Sequence, residues 1–291
     1  MTERELKRSV LIVASFAAFL TPFMGASVNL ALPAMGKEFS ISAINLNWIA
    51  SSYILASAML LLPFGRLADI IGRKRVFFYG ILFFTISTLL VALVKTFTML
   101  IVMRVIQGIS SAMIFGTSMA IITSVFPPGE RGRAMGINVT AVYVGLSSGP
   151  FLGGLLTRYF GWRSIFLVLV PLGIISLILI SSKMKGEWAE SRGEKFDWKG
   201  SLIYGISLVL LMYGFSQLPG TGGFLLIAGG IALFMAFLWF EKSITNPVLR
   251  ISIITGNRVF AWSSLAALIH YSSTSAIGFF MSLYLQYVKG I

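Results

Sequence analysis

Two groups of side chains in this chain have the types and spacing to do chemistry. The first centres on Arg104, the one full charge inside a long apolar run. An arginine at the middle of a membrane costs about 2.5–3.5 kcal/mol on insertion scales, so it is expected to face a protein or water-filled interior. Arg104, Gln107, Gly108 and Ser111 recur at i, i+3, i+4 and i+7, one face of a helix. A polar, small-residue face of this kind points inward, and a charge kept on it is a candidate functional residue. Alternatively, Arg104 bonds backbone carbonyls of a neighbouring helix. The second group is Gly65-Arg-Leu-Ala-Asp-Ile-Ile-Gly-Arg-Lys-Arg75, which joins one long apolar run to the next. Gly65 and Gly72 allow backbone angles that other residues resist, so a tight reversal is expected here. Asp69 then lies within reach of Arg66, Arg73 and any helix N-terminus that docks on the turn. Lys74 and Arg75 complete its basic side. Basic residues alone would suffice for an ordinary loop on the positive side of a membrane. The carboxylate set between two glycines is not needed for that.

His270 is the other titratable group within an apolar run. Its ordinary titration range suits a proton carrier. Beside Tyr271, Ser272 and Ser273 it could equally be a satisfied polar residue. All ten acidic residues fall in expected loops or at interfaces, so no membrane-buried carboxylate is expected. There is no cysteine, hence no thiolate metal site and no cysteine nucleophile. No Gly-x-x-x-x-Gly-Lys-[Ser/Thr], Gly-x-Ser-x-Gly or His-Glu-x-x-His occurs. Neither an enzyme, nor a metal site, nor a nucleotide or other cofactor is expected.

The elements that must position these groups follow from composition. The chain is 57% hydrophobic and 11% charged, with mean hydropathy +0.89. A soluble domain carries roughly 25% charged residues, so a membrane protein is expected. The net charge of +13 does not argue for nucleic acid, because the basic residues sit in short loops between membrane-length runs. A spanning helix needs about 20 mostly apolar residues. Such runs occur at 9–36, 39–65, 76–94, 96–129 (interrupted by Arg104), 134–157 and 164–182. The run 200–240 is split by Leu218-Pro-Gly-Thr-Gly-Gly223, a turn signal, and a last run covers 259–288. About nine spans result. The first run is too long for a cleaved leader and is read as an uncleaved helix. With the N-terminus inside, 17 Lys and Arg fall in inside segments and 5 outside, which predicts a cytoplasmic N-terminus in the cell (plasma) membrane. The expected organisation is a six-helix bundle over 1–182, a cytoplasmic linker over 183–199, a two-helix hairpin over 200–241 and the start of another bundle over 242–291. The linker is charge-dense and mixed in sign, either a solvated loop or a regulatory one.

Within the fifth run, Gly145, Gly149 and Gly153 repeat every four residues. Small residues at that spacing let helix backbones approach closely. Pro150 removes an amide donor and favours a kink. Gly154 adjoins the stripe. Asn138 falls on it, to make an interhelical hydrogen bond or to face a cavity.

Taken together these segments resemble a known family. Gly65-x-Leu-Ala-Asp69-x-x-Gly72-Arg-Lys-Arg75 resembles the loop between helices two and three of the major facilitator superfamily of transporters, although position 70, often basic there, is Ile. Leu100-x-x-x-Arg104-x-x-Gln107-Gly108 resembles its fourth-helix motif, and Gly145-x-x-x-Gly149-Pro150-x-x-Gly153-Gly154 its fifth-helix antiporter motif. Gly161-Trp-Arg-Ser-Ile-Phe166 with Pro171, Phe196-Asp-Trp-Lys-Gly200 and Tyr284-Leu-Gln286 resemble the fourteen-helix drug:proton antiporter branch. The resemblance implies an all-α membrane protein: a major-facilitator-type six-helix N-terminal bundle, two extra helices, and the first helix of a second bundle. It implies secondary-active export of drug-like or amphipathic small molecules by alternating access, with protons as the coupling ion. Arg104 would then influence proton transfer, the Asp69 turn would latch one side, and the glycine stripe would pack against a helix of the second half. Asn29-Leu-Ala-Leu-Pro33 matches the end of a further antiporter motif, and Asn29 is a candidate cavity residue. That motif carries an acid five positions before the Asn and a Thr two positions later; here they are Met24 and Ala26. Two alternatives therefore stand beside proton-coupled export: a differently coupled carrier of a neutral or anionic metabolite, and a non-transporting membrane receptor or assembly subunit. The family continues for five more helices, so a C-terminal truncation is expected. The expected partners are a small-molecule substrate, protons and the lipid bilayer, with no nucleic acid.

Overall fold

The computed structural model describes residues 2–287, which form ten α-helices with no strand among them. In order these are α1 (Glu3–Phe39), α2 (Ala43–Ile71), α3 (Arg73–Leu93), α4 (Phe97–Val125) and α5 (Pro128–Phe160). There follow α6 (Arg163–Lys183), α7 (Trp198–Ser216), α8 (Thr221–Glu241), the short α9 (Ile251–Gly256) and α10 (Arg258–Tyr287). Helices α1 to α8 are long and apolar enough to cross a membrane. With its many outward apolar side chains, among them Phe151, Phe160, Ile178 and Trp239, the chain is a multi-pass membrane protein. A helix suits lipid because every interior backbone amide is bonded within its own segment. The ninth expected run forms α10, whose side chains from residue 275 onward lie outside the described residues. Tyr284 and Gln286 are among those.

Helix starts follow local rules. Thr2 closes a capping box with Glu5; Ser42 and Thr96 cap α2 and α4, and Asp197 caps α7 through the Gly200 amide. Helices α1, α5 and α6 overrun their apolar runs at both ends. The overrun at the end of α2 corrects the expected turn. Helix α2 continues through Gly65 and Asp69 to Ile71, so Gly65 lies inside a helix and Gly72 alone makes the reversal. Gly72 sits at φ +120°, a conformation that L side chains rarely adopt. Gly65 instead faces α4, where Gly116 permits the close approach: a β-carbon on Gly116 would lie 3.3 Å from the Gly65 amide nitrogen.

Helix α1 packs mainly on α5, α2 on α4, and α3 on α4 and α6, while α1 also meets α4 and α6. One apolar core runs through α1, α3, α4 and α6, with Leu20, Met24, Phe77, Phe84, Leu100 and Phe166 fully enclosed. At the end opposite the α2–α3 turn, Glu38 ties α1 to α6. It accepts from both terminal nitrogens of Arg163, at 2.6 and 2.8 Å, and from Trp162 Nε1 at 2.7 Å. Helices α7 and α8 form a hairpin that leans on α2.

Candidate functional site

Arg104 is 1% exposed on the α4 face that meets α1 and α2. The helical spacing read from the sequence holds: Gln107, Gly108 and Ser111 are buried beside it. Its Nε donates to the Ile49 carbonyl at 2.8 Å and its Nη1 to Gln107 Oε1 at 2.9 Å. Gln107 Nε2 passes the chain on to Thr88 Oγ1 of α3 at 3.0 Å. The guanidinium lies 4.5 Å from the centre of the Tyr53 ring, and the Tyr53 hydroxyl bonds Ser111 at 2.6 Å. Of the two sequence alternatives for Arg104, the structure shows the bond to a backbone carbonyl of a neighbouring helix. No carboxylate touches it among the described residues. The α1 side chain that reaches it is Met24, whose sulfur lies 3.6 Å from Nη1. A thioether is a weak acceptor. The charge is therefore held by neutral dipoles and a π-face.

The α2–α3 turn forms the second part of the site. Asp69 pairs with Arg73 one helical turn on, at 2.7 Å from Nη2 and 2.8 Å from Nε. Arg73 is mostly buried because it also reaches α4, donating to Ser124 Oγ at 2.6 Å and the Ala120 carbonyl at 3.3 Å. The 184–196 segment covers this turn. Arg73 Nη1 bonds Glu190 at 2.7 Å, Arg66 pairs with Glu194 and bonds Ser191 at 2.9 Å, and the Lys74 amide bonds Glu187 at 2.8 Å. Two backbone bonds fasten the segment further, Arg73 N to Trp188 O and Ser191 N to Asp69 O. Lys74 Nζ donates to the Met184 carbonyl, while Arg75 stays exposed. A β-carbon at Gly72 would collide with the Glu187 carboxylate, so glycine serves both the φ angle and the docking.

The 183–199 segment, read from the sequence as a solvated loop or a regulatory one, thus lies as a strap over the turn, with Lys185, Arg192 and Lys195 still exposed. Glu187, Glu190 and Glu194 were not among the sequence candidates. Their 3- and 4-residue spacing opposite a basic turn was the available signal.

The glycine stripe corrects an expectation about its partner. Gly145, Gly149 and Gly153 are buried against α1 of the same bundle rather than against a helix of a second half. β-carbons there would lie 2.7 Å from the Phe19 carbonyl, 2.7 Å from Ala26 Cβ and 2.6 Å from Ser27 Cβ respectively. Ser27 Oγ donates to the Gly149 carbonyl at 2.9 Å across the contact. Gly154 meets Leu30, and Pro150 points outward. Gly153→Val should therefore push α1 and α5 apart and destabilise the protein by about 1–3 kcal/mol, the usual cost of overpacking. Thermal unfolding in detergent measures this. An unshifted midpoint would show that the seam is slack.

The remaining candidates are not brought to Arg104. Asn29 is exposed on α1, where no hydrogen bond to it is found among the described residues. Asn138 is buried and its amide reaches Ser118 Oγ at 3.5 Å, a long interhelical contact. His270 is exposed on α10, with Nε2 3.4 Å from the Tyr143 hydroxyl of α5.

A bundle of membrane helices around an inward arginine, with an ion-paired turn at one end and a glycine-lined seam, defines a polytopic helical membrane protein. Residues 14–291 match the profile described as Major Facilitator Superfamily, and the chain belongs to that family. It is 33% identical over 97% of its length to the Cephamycin export protein CmcT of Amycolatopsis lactamdurans, covering 60% of that protein. It is 32% identical to the Methylenomycin A resistance protein of Bacillus subtilis, over 97% of this chain and 61% of the relative. It is 28% identical to the Riboflavin transporter RibZ of Clostridioides difficile, again over 97% of this chain and 61% of the relative. The chain thus spans about three fifths of the length of these relatives.

Proposed function

We propose that this chain carries the N-terminal bundle of a secondary-active exporter that moves drug-like or amphipathic small molecules across the cell membrane by alternating access. The N-terminus and the strapped turn lie on the cytoplasmic side in this reading, as the 17 to 5 bias of basic residues supports. The single observation that carries it is Arg104, a full charge enclosed at a junction of α1, α2 and α4 and held by neutral groups. Such a charge is costly in a membrane and is kept where it serves a solute or ion path. The outward direction rests on relatives named for export and resistance. In this reading residues 1–182 form the first bundle, 183–199 strap the Asp69 turn, 200–241 are an inserted hairpin, and 242–291 begin the second bundle. The ion pair between Asp69 and Arg73 and the strap together hold the cytoplasmic gate. Gly145, Gly149 and Gly153 keep α1 and α5 moving as one body.

Everted membrane vesicles test the proposal. An imposed proton gradient should drive uptake of a fluorescent amphipathic drug, and a protonophore should abolish it. Binding with no flux would instead favour a receptor or assembly subunit. A second reading has its own support in Met24, the thioether beside Arg104 at a position where drug:proton antiporters resembling this chain carry an acid. With no carboxylate to bind a cation there, Arg104 suits a neutral or anionic solute moved by other coupling. Flux that survives the protonophore would select that reading.

A further inference from the structure

The base of the α7–α8 hairpin encloses two carboxyl groups that neither the transport site nor the strap uses. Glu241, the last residue of α8, was counted among the interface acids, yet it is only 3% exposed. Asp197, the N-cap of α7, lies against it. Each carboxyl group spends one oxygen on a backbone amide: Asp197 Oδ1 accepts from Gly200 N at 2.9 Å, and Glu241 Oε2 from Leu249 N at 2.8 Å. Each other oxygen, Asp197 Oδ2 and Glu241 Oε1, is buried with no hydrogen-bond partner. Both orphan oxygens converge on one spot, because a single β-carbon on Gly200 would collide with both of them. Gly200 is thus the residue whose missing side chain lets the two carboxyl groups meet.

Two carboxylates that close cannot both stay ionised out of water. Lys195, Lys199 and Lys242 flank the pair in sequence but are exposed, and none is within salt-bridge distance of either acid among the described residues. On α7, Tyr204 lies one helical turn from Gly200 and packs on Phe237 of α8, but its hydroxyl donates to the Ala58 carbonyl of α2 at 3.3 Å. One missing donor would satisfy both orphan oxygens, and a single proton between them is that donor. We propose that Asp197 and Glu241 form a proton-binding site in which one proton bridges Asp197 Oδ2 and Glu241 Oε1. The helix ends assign its resting place. Asp197 sits at the N-terminus of α7, where the dipole and the Gly200 amide favour negative charge. Glu241 sits at the C-terminus of α8, where negative charge is disfavoured, so Glu241 is the acid and Asp197 the carboxylate. The bridge fastens α7 to α8, and through the Leu249 amide to the segment that leads into α9 and α10. Proton loss at alkaline pH puts two charges across Gly200 and loosens that clasp. The site stands apart from Arg104 and does not require the transporter itself to be proton-coupled.

Infrared spectroscopy of the purified protein in nanodiscs tests this. The wild-type protein should show the carbonyl stretch of a protonated carboxylic acid at neutral pH, and the band should vanish reversibly on alkaline titration. Glu241→Gln should lack it at neutral pH. Asp197→Asn should lack it too, because the Asn amide would then donate to an ionised Glu241. The wild-type measurement stands whether or not either variant folds. No such band at neutral pH overturns the proposal and points to two ionised groups bridged by a cation. A band that persists in either folded variant also overturns it.

Discussion

Arg104→Met is expected to lower transport at least tenfold, about 1.4 kcal/mol in the barrier, while leaving stability almost unchanged. The reason lies in opposing terms. Removing the arginine relieves an insertion cost of about 2.5–3.5 kcal/mol. It also takes a donor from Gln107 Oε1, and an unsatisfied buried acceptor costs about 1–3 kcal/mol. The Ile49 carbonyl keeps its helical partner, so its loss is small. The two terms nearly cancel, and Met fills much of the vacated space beside Met24 and Tyr53. Arg104→Lys is the companion variant. It keeps the charge but cannot fork between Ile49 and Gln107 as a planar guanidinium does, so it should recover only part of the activity. Vesicle flux and thermal unfolding measured on the same preparations read both quantities. Flux equal to wild type in Arg104→Met would remove the residue from the transport path.

Asp69→Asn is the second change with a large expected effect: transport lost, with the protein still inserted and folded. Asp69 is 29% exposed and Arg73 7%, and their double contact is charge-assisted. Such bonds contribute about 1.5–3 kcal/mol, toward the low end here because Glu190, Ser124 and the Ala120 carbonyl still hold Arg73. The stability loss is therefore modest. The gate loses the partner that fixes Arg73 between α2 and the strap. Combining Asp69→Asn with Glu190→Gln should cost more than the sum of the two single changes, because each carboxylate covers for the other on Arg73. The measurement is vesicle flux beside protease protection of the strap. Undiminished flux in Asp69→Asn would sink the gating role.

The spans, the inward face of Arg104 and the family were legible in the amino-acid order because they depend on local pattern. Apolar length makes a spanning helix, and a spacing of three and four places Arg104, Gln107 and Ser111 on one face. Gly72 as the reversal was half legible. The turn was read as running from Gly65, yet helix α2 persists to Ile71, since nothing in Arg66–Ile71 breaks a helix and Arg73 can bond Asp69 a turn earlier. The partners of these residues were not legible. That Met24 rather than an acid stands at position 24 is plain in the sequence. That its sulfur lies on Arg104 is a property of how α1 crosses α4. The strap, the α1 partner of the glycine seam and the meeting of Asp197 with Glu241 join residues 44 to 128 positions apart. Sequence by itself determined which segments cross the membrane and which charges are unaffordable there without a use. Only the tertiary structure decided what each charge touches, because that depends on which helix faces pack together, and no local periodicity encodes the neighbour.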